Sequence, residues 1–215
     1  MIKHIALALT LALAPLSSFA AQFEEGKHYT QIAETASVQP KLTEFLSLYC
    51  HNCYNMEKQY LGEIKASLDK RVSFDNKHVD FMNNAIGTEV MRSLAVIQEL
   101  NAGHKMTLAM FAAIQGDEGA HDHDHGAHEK PKINNRDDIK KVFGDNGFDI
   151  SQYDAIADSK AVDAKIDLWR VQQRDFQIQS VPAFVVNDKY AVNMSSIRTL
   201  GELIELINYL ALERK

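Results

Sequence analysis

The only two cysteines of the 215-residue chain stand three residues apart, in Cys50-His51-Asn52-Cys53, where a largely apolar run, Phe45-Leu46-Ser47-Leu48-Tyr49, gives way to a helical pattern. At a helix start, a spacing of i, i+3 puts both sulfurs at one end of one helix. That end carries unpaired backbone N–H groups and the positive end of the helix dipole, so a thiolate at Cys50 is stabilised and its pKa is depressed. Stabilising the thiolate stabilises the reduced pair. The Cys50–Cys53 disulfide is then easily reduced, which makes it a good oxidant of other thiols. Three other uses compete with redox chemistry. A zinc half-site lacks a second pair of cysteines to complete the usual four ligands. A structural disulfide closing so short a loop constrains the unfolded chain little. Two idle buried thiols fit poorly with the export signal described next. Redox chemistry leads all three.

Residues 1–20 read as a secretory signal and not as part of the fold. Lys3 supplies a basic start, Ile5 to Leu16 an apolar stretch of the right length, and Ser18-Phe19-Ala20 the small residues a signal peptidase reads. Cleavage is expected after Ala20. The run is too short for a membrane span, and no other apolar stretch approaches that length. Export implies an oxidising compartment in which the pair can persist as a disulfide. Removing Lys3 with the signal takes the formal net charge from −6 to −7, which argues against nucleic acid as a partner.

The elements that must position the cysteines follow in order. A short strand is expected around His28–Thr30. Pro40 to Tyr49 reads as a mostly buried strand with proline at its first position. Even-numbered residues of a strand share a face, so Glu44 points with Leu42, Leu46, Leu48 and, one step on, Cys50. Glu44 is then either a buried acid beneath the cysteines, able to pass a proton to or from Cys53, or an edge-strand carboxylate facing water. The pattern alone leaves both open. A helix follows from about His51 to Lys70, with Met56, Tyr60, Ile64 and Leu68 at helical spacing and Gly62 as a weak point. A second strand runs from Val72 through Phe81. Strand, helix and strand make a βαβ unit with the cysteines at its first turn, where chemistry gathers in such sheets.

From Asn83 the periodicity is helical: one helix over Ala85–Ile97, a second over Met106–Ile114, a third over Asp137–Phe143, a fourth over Ser151–Ser159 and a fifth over Val162–Phe176. Strand signals return at Val181–Val186 and Tyr190–Val192, joined by a hairpin turn at Asn187-Asp188. A last helix takes Ser195 or Ser196 as its cap. Between two of the helices, residues 119–131 hold His121, His123, His125 and His128 with three acids. Such a set can bind zinc, copper or nickel. A flexible polar loop with only adventitious metal affinity is the favoured reading, because nothing rigid positions these ligands.

Taken together, these residues resemble the DsbA family of periplasmic thiol:disulfide oxidoreductases. The resemblance runs along essentially the whole mature chain. Ala21-Gln22-Phe23-Glu24-Glu25-Gly26-Lys27-His28-Tyr29 is similar to the start of mature members. Glu44-Phe45 followed by Cys50-His51-Asn52-Cys53-Tyr54 is similar to their active-site strand and turn. His78-Val79-Asp80-Phe81-Met82 resembles the next strand, and Val181-Pro182-Ala183-Phe184-Val185-Val186-Asn187-Asp188-Lys189-Tyr190 the cis-proline loop and hairpin. The pair of cysteines alone is a moderate signal; with the distant Val-Pro segment it is a strong one.

The resemblance implies an α/β fold of thioredoxin type with an inserted all-helical subdomain. Residues 21–82 and 170–215 would form the thioredoxin-like part and 83–169 the insert. It implies Cys50 as nucleophile, Cys53 as buried resolving thiol, Glu44 as the buried acid, and a cis Pro182 that leaves Val181 backbone groups free for an extended peptide. From the sequence alone, Val181-Pro182 could equally be an ordinary strand entry. No cofactor is implied. The partners implied are reduced exported polypeptides and, as reoxidant, a membrane quinone reductase of the DsbB type, with the protein acting as a monomer. One departure lies at the site: the family's usual Pro-His between the cysteines is His-Asn here. His51 as a cation favours a neighbouring thiolate while the helix dipole disfavours the cation, and a solvated helix-start residue with no redox role is an equal alternative, so a weaker oxidant than the family's strongest is expected. The 119–131 segment is a second departure. A reductase or isomerase remains an alternative, and a metal-handling module built on the cysteines and the histidines a more distant one.

Overall fold

In a computed structural model, which describes residues 23–116 and 133–214, five strands form one sheet: β1 (Tyr29–Gln31), β2 (Lys41–Leu46), β3 (Ser73–His78), β4 (Ala183–Val186) and β5 (Tyr190–Val192). Their order is β1-β5-β4-β2-β3, with β2 and β3 parallel and the other pairs antiparallel. β2 lies between two neighbours and is covered on both faces, so Leu42 through Leu46 are all buried, as its near-continuous apolar sequence requires. The predicted signal and its cleavage point after Ala20 lie outside the described residues, as do His121, His123, His125 and His128.

Helices α1 (His51–Gln59) and α2 (Leu61–Ser67) connect β2 to β3. They replace the single helix expected to Lys70. The break is at Tyr60 and not at Gly62: Tyr60 (φ −122°, ψ −35°) leaves helical geometry, closing α1 and opening α2. The buried stripe also differs from the one expected through Met56 and Tyr60. Cys53, Glu57, Leu61 and Ile64 face inward, whereas Met56 is only partly covered and Tyr60 is exposed. β3 ends at His78, short of the expected Phe81. Beyond it the Asp80 N–H is taken by the Gln173 side chain and the Asp80 carboxylate by Arg170, which draws the chain out of the sheet and leaves Phe81 and Met82 exposed.

Among the described residues, five α-helices then follow before the sheet resumes: α3 (Ala85–Glu99), α4 (Gly103–Gln115), α5 (Arg136–Asp145), α6 (Tyr153–Ala157) and α7 (Lys160–Asp175). Their apolar faces meet in a cluster around Trp169, Phe111 and Phe143 that also takes in Leu46, Leu48, Cys53 and Tyr54 from the active-site segment. α7 is continuous across residue 170, so the boundary expected between 169 and 170 falls inside a helix. The reason is that α7 belongs to both parts. Val162, Ile166 and Trp169 pack in the helical cluster, while Gln172 and Gln173 reach Lys77 and Asp80 at the end of β3.

The hairpin between β4 and β5 turns at Asn187 and Asp188, both with positive φ (55° and 54°), the geometry such two-residue turns demand. The Asn187 amide also accepts from the Lys41 N–H (2.9 Å) and donates to the Ala211 carbonyl (3.0 Å), tying the start of β2 to the end of α8 (Leu200–Leu212). The cap of α8 is Thr199, not Ser195 or Ser196, which lie in a preceding 3₁₀ turn. The Thr199 hydroxyl accepts from the Glu202 N–H, and the Glu202 carboxylate reaches back to the Arg198 N–H.

His78 fixes the backbone that leads to the cysteines. Its Nε2 accepts from the Leu48 N–H (2.9 Å) and its Nδ1–H donates to the Val79 carbonyl (2.7 Å). Those partners require the neutral ring, and burial pushes its pKa down to about 4 from 6.5. A folded pKa below the unfolded one means stability that is complete above pH 6.5 and is lost as pH falls towards 4. Denaturant unfolding between pH 7 and pH 4 should therefore cost the native protein about 3 kcal/mol more than it costs His78→Gln. Equal losses in the two proteins would remove His78 from this role.

Candidate active site

Cys50 is the N-cap of α1, with extended backbone (φ −92°, ψ 116°), and its sulfur accepts the Cys53 N–H at 3.1 Å. A thiol thus occupies the place where Ser or Asp usually satisfies a free helix N–H. The Cys50 pKa is drawn down to about 6, first by a hydrogen bond from the Cys53 thiol, then by the backbone N–H groups of Cys53 and Asn52 and the nearby His51, all outweighing partial burial. Cys53 is 1% exposed, and burial followed by its bond to Cys50 pushes its own pKa far up. One sulfur is therefore half-exposed and anionic at neutral pH, and the other is covered and protonated.

Opposite the pair, the Val181–Pro182 peptide bond is cis, and the Cys50 thiol lies 3.3 Å from the Val181 carbonyl oxygen, to which it donates when protonated. Beside it opens a cleft of about 590 Å³ walled by Asn52, Met56, Tyr60, Val181, Pro182 and Met194, among others. Glu44 is fully buried, which settles its two readings against the water-facing one, since β2 is an interior strand. Neither carboxylate oxygen of Glu44 has a protein hydrogen-bond partner. Its pKa is raised well above 4.5, chiefly by burial and then by Glu57, so it carries a proton where an exposed glutamate would not.

This arrangement agrees with comparisons to known proteins. A family model described as a DSBA-like thioredoxin domain matches residues 41–205. The chain belongs to the DsbA family. The thiol:disulfide interchange protein DsbA of Haemophilus influenzae is 32% identical over 196 residues, spanning 89% of this chain and 88% of its own. That of Escherichia coli K12 is 30% identical over 199 residues, covering 92% of this chain and 89% of its own. The crystal structure of Proteus mirabilis DsbA with a non-covalently bound peptide, PWATCDS, is 26% identical with a TM-score of 0.74, covering 89% of this chain and all of that one. The structure of Pseudomonas aeruginosa DsbA, 19% identical, shares the fold with a TM-score of 0.72, covering 90% and 95%.

Within this DsbA-like frame, the structure brings Cys50, Cys53, Glu44, Val181 and Pro182 together. His51 stands apart from the buried pair: it is exposed, with its Nε2 3.1 Å from the Asn55 side-chain nitrogen, and it ranks last among the influences on Cys50. The four loop histidines lie outside the described residues, and among the described residues no three His, Cys, Asp or Glu side chains group to hold a metal. Sequence reading passed over Glu57. It sits one turn after Cys53 on the same helix face, a spacing that marks it as an inward acid, but the stripe drawn through Met56 and Tyr60 placed it on the wrong side.

Two outcomes are expected. Cys53→Ala removes the strongest influence on Cys50, so the Cys50 thiolate, followed by its ultraviolet absorbance or its alkylation rate, should titrate clearly above 6. A titration still near 6 would assign the depression to the helix end instead. Glu44→Leu should stabilise the protein. The folded carboxyl holds a proton that the unfolded chain releases above pH 4.5, so Glu44 costs stability at neutral pH and not below 4.5. Unfolding at pH 7 should become harder by roughly 1–3 kcal/mol, with the gain shrinking as pH approaches 4.5. A loss of stability at pH 7 would contradict an unpartnered buried acid.

Proposed function

We propose that the protein is a dithiol oxidase of exported polypeptides, donating its Cys50–Cys53 disulfide through a mixed disulfide at Cys50. The observation that carries this reading is the asymmetry of the pair: a half-exposed sulfur stable as thiolate beside a buried sulfur stable as thiol. A substrate thiolate attacks the Cys50 sulfur, the only one it can approach. The Cys50–Cys53 bond breaks, and Cys53 leaves as a thiolate that takes a proton, with Glu44 beneath it as the donor. A second substrate thiolate then attacks the substrate sulfur of the mixed disulfide and releases Cys50 as thiolate. The substrate loses two electrons and the cysteine pair gains them.

The cleft beside Cys50 supports a peptide as substrate. Val181 offers backbone groups to an extended chain, and Met56, Tyr60 and Met194 offer apolar surface for its side chains. The peptide held by the Proteus mirabilis protein fits the same reading. The signal-like residues 1–20 support action in the periplasm, where a membrane quinone reductase of the DsbB type would restore the disulfide. No helix among the described residues is long and apolar enough to cross a membrane.

The size of the effect can be bounded. At pH 7 a Cys50 titrating near 6, against about 7 for thioredoxin's cysteine, stabilises the reduced form by about 1 kcal/mol more, or roughly 20 mV. That is a ceiling, because the sulfur is half-exposed and solvent screens it. Equilibrating the purified protein with glutathione buffers should give a potential above thioredoxin's roughly −270 mV. A value at or below that level would move the assignment to a reductase.

A further inference from the structure

The mechanism leaves Glu44 with a difficulty. It lies beneath Cys53, wholly buried, and any proton it gives or takes must be exchanged with water. Cys53 is itself only 1% exposed. Beside Cys53 on α1 the structure holds a second buried acid, and next to that acid an opening. Glu57, one turn after Cys53 on α1, is 4% exposed. Its Oε1 lies 2.6 Å from Nδ1 of His104, in the first turn of α4, and its Oε2 has no protein partner. The His104 side chain is 46% exposed. Both residues line a cleft of about 400 Å³, together with Lys65, Asp75, Asn76 and Gln98. Asn76 is the β3 residue paired with Glu44 across the parallel ladder, so the cleft reaches the strand position directly beside the buried acid. Helix α1, with Glu57 and Cys53 on its inner face, forms the roof over that position.

We propose that Glu57 and His104 carry protons between Glu44 and solvent, so that the buried half of the cysteine pair exchanges its proton through the α1–α4 cleft and not past Cys50. This rests on the reading of Glu44 as the proton partner of Cys53. When Cys53 attacks the mixed disulfide to re-form the Cys50–Cys53 bond, its sulfur must lose a proton as the new S–S bond forms and the bound thiolate departs. The proton passes to Glu44, then to Glu57, then to His104 and to water in the cleft. In the opposite direction it returns by the same groups. Both His104 and Glu57 act through Glu44 and touch neither substrate nor sulfur.

The charges around the route suit it. Burial raises the Glu57 pKa, while the bond to His104 and the charge of Lys65 act against that rise. The charge of Glu57 on α1 in turn disfavours ionisation of Glu44 on β2. Lys65 from α2 and Asp75 from β3 bring one charge of each sign to the cleft wall.

The test follows the step in which Cys53 must give up its proton. Reduced protein is mixed with oxidised glutathione, quenched with acid at intervals, and the lifetime of the Cys50–glutathione mixed disulfide is measured from pH 6 to 8. His104→Gln and Glu57→Gln should each lengthen that lifetime by about tenfold or more and change its pH profile. Added imidazole, small enough for the cleft, should restore His104→Gln towards the native lifetime, while its equilibrium with glutathione stays within about twofold of native. A native-like lifetime and pH profile in His104→Gln would overturn the relay, as would a lengthening that imidazole does not relieve. Glu44→Gln separates the two layers of the argument. If it leaves the lifetime unchanged, the Glu44 reading itself fails and the relay with it; if it lengthens the lifetime while His104→Gln does not, only the relay fails.

Discussion

A backbone N–H aimed at a sulfur is the interaction on which the rest of this protein depends. The Cys53 N–H that meets the Cys50 sulfur at 3.1 Å exists only because α1 begins at His51, and α1 begins there because β2 has delivered the chain to that point with Cys50 still extended. Under the proposed function Cys50 therefore has two duties in one atom: it caps a helix and it reacts. A cap is worth about 1 kcal/mol to a helix in the ordinary case. When Cys50 is drawn into a disulfide its sulfur loses the negative charge that makes it a strong acceptor, and the helix end loses part of its cap. Oxidation and capping compete for the same electrons, which is the local physical reason for the pair to favour its reduced state.

The burial of Glu44 shows how the fold tolerates an unfavourable group in order to place it. β2 has a neighbour on each side and a covered face above and below, so a carboxyl there meets no water and no protein partner. The surrounding apolar side chains must supply the stability that this residue subtracts. They do so in quantity: Leu42, Phe45, Leu46 and Leu48 are all fully buried within the same short stretch.

Much of this was legible in the sequence, and the parts that were not share one cause. The two cysteines, the helix start between them, the central strand and the positive-φ hairpin at Asn187-Asp188 are local features, and local rules found them. The resemblance supplied what locality could not, the meeting of Cys50 with Val181 across 131 positions of chain. What escaped were contacts set by small angular choices or by distant packing. The inner stripe runs through Cys53, Glu57 and Leu61 and not through Met56 and Tyr60, and no residue type announces it. His104 meets Glu57 across 47 positions, and His78 bonds to Leu48 across 30. His104 stands in no motif, and the His78 segment reads only as a strand; each side chain's role is defined by what the fold brings to it. The domain division expected between 169 and 170 falls inside α7, whose Gln172 and Gln173 are bound to Lys77 and Asp80 by side-chain contacts that periodicity does not record.

At the end of α4, the Gln115 side-chain amide donates to the Leu48 carbonyl at 2.7 Å, two residues ahead of the nucleophile. That single bond makes the far end of a long helix a structural neighbour of the reactive turn. For an engineer, the last turn of α4 is a handle on that turn: a change made at Gln115 would reach Leu48 before it reached the core.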